Sequence, residues 1–135
     1  MWSIDHEVGR LIEVRVESPV AFEDVDPFFK RMRSLIGPMP ARAIVCVDLR
    51  AARLFPPDVA EGFVGVMRGD NPRIERSGFL VSDSALFGLQ IERMIREAGS
   101  PLRRAFRDEP ALSAWLGELL DDAERARLAR FLAGP

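Results

Sequence analysis

Three aspartates hold the positions from which this chain could do chemistry. Asp48, Asp83 and Asp108 each follow a segment that reads as a strand, at its carboxyl end. In open α/β sheets ligands bind outside those ends, so three carboxylates gathered there can hold a magnesium ion or exchange protons with a substrate. The same places are where a helix wants an acceptor for its first free amides, and capping is the simpler assignment. A phosphoacceptor site of the receiver kind also needs an acidic pair after the first strand and a lysine after the last. This chain has Arg103, Arg104 and Arg107 in the latter region. Lys30, its one lysine, lies in an amphipathic helical stretch, which removes both a Walker-type phosphate loop and a Schiff-base lysine in a strand.

His6 and Cys46 are the single representatives of their types. His6 has no Ser or Cys at triad spacing, and Cys46 sits between Val45 and Val47, where a thiol behaves as a small hydrophobe. One His and one Cys cannot supply the ligands of a zinc site, and one Cys forms no internal disulfide. The expectation is no catalytic residue, no metal and no cofactor.

The 19 basic residues, all arginine apart from Lys30, are interspersed with 21 acidic ones for a net charge of −2. Nucleic-acid binding wants a basic surplus on one face. Arg103, Arg104 and Arg107, with Arg50 and Arg53 from a neighbouring loop, can still hold an anionic ligand or an acidic partner. Alternatively Asp108, Glu109 and Glu118 neutralise them in weak surface pairs. No apolar run is long enough to span a bilayer, and the first residues lack the pattern of a signal peptide, so a cytoplasmic protein is expected.

The elements that must position these residues follow from periodicity. Residues 2–17 alternate as a hairpin around Val8-Gly9. Apolar residues from Phe22 to Ile36 recur at helical spacing. Ala43 to Val47 reads as a strand covered on both faces and stopped by Asp48. A second helix starts at Pro56-Pro57-Asp58 and runs to about Arg68. Phe79-Leu80-Val81 is the core of the next strand, ending at Ser82-Asp83-Ser84, where Asp83 or Ser84 can cap a third helix that turns Phe87, Ile91, Met94, Ile95 and Ala98 inward and Glu92, Arg93, Arg96 and Glu97 outward. Leu102–Arg107 is a short, arginine-studded edge strand, and Asp108-Glu109-Pro110 begins a fourth helix. The segment 121–133 is a helical extension whose Leu128, Phe131 and Leu132 either pack on the domain or form a homodimer or partner contact. The order β-β-α-β-α-β-α-β-α plus a terminal helix implies one α/β domain over residues 1–135, with a mixed, mostly parallel sheet and an antiparallel N-terminal hairpin.

Three stretches of the chain resemble the SpoIIAA-like, or STAS-like, small bacterial proteins. They are the hairpin Trp2 to Leu11, the strand Ile44-Val45-Cys46-Val47-Asp48-Leu49-Arg50, and the run Phe106-Arg107-Asp108-Glu109-Pro110-Ala111-Leu112-Ser113-Ala114-Trp115-Leu116. The resemblance implies a non-enzymatic protein-interaction module of the anti-sigma antagonist type, docking its partner around Asp48 to Phe55 and Ser82 to Phe87, with Asp48, Arg50, Arg53, Ser82, Asp83 and Ser84 as the candidate contacts. It also implies a phosphorylatable serine after the central strand. Asp48 to Arg53 contains no hydroxyl, so Ser82 and Ser84 are the nearest substitutes, and both also suit turn and cap roles. Related CRAL-TRIO-type folds bind lipids, which adds a second reading: a pocket for an apolar or lipid-like ligand between the second and third helices, lined by Phe63, Met67, Phe87, Ile91 and Met94. A small enzyme using the aspartates is the third.

Overall fold

The opening alternation forms β1 (Trp2–Asp5) and β2 (Leu11–Val16), paired antiparallel with Trp2 opposite Val16 and Asp5 opposite Glu13. Gly9 turns the chain between them at φ 58°, a left-handed value that side chains resist. The computed structural model describes residues 1–134. After β2 come α1 (Val25–Ile36), β3 (Ala43–Leu49), α2 (Pro57–Asp70), β4 (Ile74–Val81), α3 (Ala85–Ala98), β5 (Arg103–Phe106), α4 (Glu109–Gly117) and α5 (Asp122–Ala133). The five strands lie in the order β1-β2-β3-β4-β5, and every pairing after the first is parallel.

This order advances by one strand at each crossover and never reverses. Right-handed connections then place α1, α2 and α3 on the same face. There the sheet valines and Phe79 meet Phe28, Phe63, Phe87 and Ile91, and Trp2, Phe28, Phe63, Phe55 and Phe87 follow one another edge to face at 5.1 to 5.4 Å. The other face is covered by α4, over β4 and β5, and by α5, over β2. Leu11, Ile44, Cys46 and Leu80 pack there against Leu112, Leu116, Leu128 and Phe131. A sheet whose order does not reverse has no switch point, the crevice in which open α/β sheets bind ligands.

Local signals set most helix ends. Ser84 Oγ accepts from Phe87 N–H at the start of α3, and Gly99, at φ 77°, ends that helix. Asp121 and Glu124 form a capping box at the start of α5. One sequence expectation is corrected: β3 does not stop before Asp48 but continues to Leu49. β4 reaches back from its expected core, Phe79-Leu80-Val81, to Ile74, and Gly78 within it lets Leu112 and Leu116 of α4 seat directly on the strand. Of the two roles open to the terminal helix, it packs on the domain, with Leu128, Phe131 and Leu132 buried against the sheet.

Candidate functional site

Asp48 is the first candidate to test, and it is already engaged. It is 4% exposed and lies opposite Arg15 in the β2–β3 register. Arg50 donates to it from Nε and a terminal nitrogen at 3.0 Å each and from its backbone N–H at 3.0 Å, while Arg15 Nε donates at 3.1 Å. The two arginines also reach the end of α5, where Arg15 donates to the Phe131 carbonyl at 2.7 Å and Arg50 to that of Leu132 at 2.8 Å. Cations belong at a helix C-terminus, where unpaired carbonyls carry partial negative charge. Burial alone would raise the Asp48 carboxyl, but the hydrogen bonds from Arg50 and Arg15 outweigh it and hold the group below its ordinary range. Asp48 is thus an internal anchor for α5 and takes no place on a docking surface.

The capping expectation fails for Asp48, which lies within a strand; Asp108 holds the N-cap position of α4 without a side-chain cap bond, and of the two caps expected for α3 it is Ser84 rather than Asp83 that accepts. Among the described residues, no group of three or more His, Cys, Asp or Glu is arranged to hold a metal ion. The His6 ring is tied to the Gly9 carbonyl within its own hairpin loop. Cys46 is fully buried, and burial pushes its thiol far above the ordinary value.

The arginine cluster expected on β5 is dispersed. Arg103 is buried, donates to Asn71 Oδ1 at 3.1 Å and the Met67 carbonyl at 3.0 Å, and is pushed down to about 10 by desolvation. Arg104 lies over the Trp115 ring at 5.1 Å, and Arg107 crosses the helix at Gly88, which leaves room for its guanidinium. Glu118 pairs with Arg76 rather than with this cluster, at 2.6 Å, and Glu109 stands 3.9 Å from Arg50.

What remains at the carboxyl end of the sheet is a rigid, exposed surface. Its loop, residues 50–56, is fixed on one side by Ser18 Oγ, which accepts from Arg53 N–H at 2.8 Å. On the other side Gln90 accepts from Phe55 N–H and donates to the Phe55 carbonyl, both at 2.9 Å. These bonds hold the loop against α3 and leave Arg53 and Leu54 outward. Leu54, Leu86 and Leu89 are 51%, 66% and 62% exposed. Leu89 also borders a groove of about 390 Å³ with Ala105, Phe106 and Arg107. Asp83 and Ser84 are exposed beside it and Ser82 is half-buried. Leu54 and Leu86 fall within the two stretches expected to dock a partner but were not named there, and Leu89 lies beyond them; a signal existed, since Leu86 and Leu89 belong to neither the inward nor the charged outward set of α3.

Phe63, Met67, Ile91 and Met94 do line a common cavity, but it lies between the three helices and the sheet, and Phe87 is outside its lining, packed edge-on against Phe55. Its volume is about 60 Å³, roughly the share of two water molecules, which is too small for a lipid chain. Asp70, Ser77 and Arg103 also border it, and nothing in the sequence reading had marked them as a group. No family model and no curated protein matches this chain.

Proposed function

We propose that the chain is a non-enzymatic regulatory module that docks a protein partner through the loop 50–56 and the first turns of α3. The observation that carries this reading is the exposure of Leu54, Leu86 and Leu89 on two segments pinned together by the Phe55–Gln90 bonds. Single exposed leucines are ordinary, whereas several on adjoining, rigid segments mark an interaction surface. Arg53 and Arg107 stand at its flanks together with the carboxylates of Asp83, Glu92 and Asp108, so the partner it fits is a helix with an apolar ridge and neighbours of both charges. The surface coincides with the docking region that the SpoIIAA-like resemblance implies, with the leucines replacing Asp48 and Arg50 as its centre.

A photo-crosslinking side chain placed at Leu86 or at Leu54 in the source cell is expected to trap the same protein, and one placed at Glu61 on α2 is not. Leu89→Glu should reduce the Leu86 crosslink at least tenfold with an unchanged melting curve. Equal yields at Leu86 and Glu61, or adducts only between copies of the chain, overturn the proposal.

A further inference from the structure

The cavity beneath α1, α2 and α3 has one polar corner in an otherwise apolar wall. Asp70 ends α2, and Ser77 lies on β4 directly opposite Arg103 of β5. Arg33 Nε donates to Asp70 Oδ1 at 3.2 Å, and Arg103 spends its bonds on Asn71 and the Met67 carbonyl. Asp70 Oδ2 and Ser77 Oγ are both buried and have no protein partner. Buried polar atoms almost always find one, because leaving them unpaired sacrifices their hydration without return. Both residues border the cavity, whose remaining wall is hydrocarbon, aromatic rings and the side chains of Met32, Met67 and Met94.

That combination selects its occupant. An ammonium head is disfavoured, since Arg33 and Arg103 already face the Asp70 carboxylate. An anion is repelled by the carboxylate itself. A neutral hydroxyl satisfies both orphan atoms at once, donating to Asp70 Oδ2 and accepting from the Ser77 hydroxyl. About 60 Å³ leaves room beside the hydroxyl for a body of only about one or two carbons. The flexible methionines let the wall adjust to its shape. We propose that this cavity is a binding site for a small neutral alcohol, its hydroxyl held between Asp70 and Ser77 and its hydrocarbon against the methionines. This site is separate from the leucine surface and does not depend on the docking reading.

The methionines also supply the test. Met32, Met67 and Met94 line the cavity, and Met1 and Met39 do not. With [13Cε]methionine, titration with ethanol should give saturable shifts on the first three methyls only. Its isomer methoxymethane, which has no donor, should bind at least fivefold more weakly. Ser77→Ala should lower the affinity for the alcohol to that of the ether. The comparison of the two isomers on the unaltered protein stands even where the variant fails to fold. Unsaturable shifts, equal shifts on Met1 and Met39, equal affinity for the two isomers, or a cavity that exchanges only water each overturn the proposal.

Discussion

The two faces of the sheet are built on different physics. Under α1, α2 and α3 the sheet contributes valines, Leu49 and Phe79, and away from the single polar corner of Asp70, Ser77 and Arg103 the helices answer with aromatic and aliphatic side chains. Under α4 and α5 the same strands contribute Glu13, Arg15 and Asp48 beside Leu11, Ile44 and Cys46. Glu13 is 2% exposed and accepts from two nitrogens of Arg127 at 2.7 Å each, and Arg15 stacks over the Phe131 ring at 4.4 Å. Glu124 is also buried, accepting from Arg10 N–H at 2.8 Å. Apolar burial drives association without direction, so the first face is fixed by shape. Buried charges tolerate only their partners, so the second face fixes the register of α5 on β2.

Four measurements can break or sharpen this contrast. Phe63→Ala removes a ring shared by Phe28 and Phe55 and should cost about 3–5 kcal/mol in denaturant unfolding. Arg127→Met leaves Glu13 buried and unpaired and should lower the unfolding midpoint, whereas replacing both with apolar residues should be near neutral. Glu13→Leu alone should cost less than Arg127→Met, because the Arg127 side chain is 28% exposed and can return to water. If the two single variants cost the same, the register argument fails.

Acid separates the faces by sign. The Asp48 carboxyl is held low by Arg50 and Arg15 against the effect of burial, so its contribution is full above the unfolded-chain value and disappears as pH falls through the native one. Burial raises the Asp70 carboxyl despite Arg33, so its contribution is full below the unfolded-chain value and disappears as pH rises through the native one. In melts from about pH 3 to 7, Asp48→Asn should flatten the acid limb and Asp70→Asn should steepen it. The smallest expected effect is at a helix end, where Asp121→Ala should cost about 1 kcal/mol by removing the cap of α5.

Element order, fold class and the inward faces of the helices were legible because each depends on local periodicity. What escaped reading depends on partners far along the chain. Asp48 looks like a strand terminator until Arg15 and the end of α5 are brought to it. Arg103 reads as an edge-strand charge, and is buried because the end of α2 offers Asn71 and the Met67 carbonyl. The first half of β4 carries Glu75, Arg76, Ser77 and Gly78 in a row, a sequence with no apolar alternation, and is a strand because α4 and β5 supply what it packs against. Leu54 and Leu86 lay inside the stretches expected to dock a partner and Leu89 just beyond them, but none carried an assigned role.

The monotonic strand order has a consequence for how the chain reaches this structure. Each strand from β1 to β5 pairs with the next in sequence, so the sheet and its first helical layer can grow from one end as the chain leaves the ribosome. The bonds from β2 to α5 span 114 and 116 residues and must form last. Until then the second face is open to solvent. Glu13, Arg15 and Asp48 keep part of that waiting face hydrated, so the charges that later specify the seat of α5 also guard the unfinished sheet against aggregation.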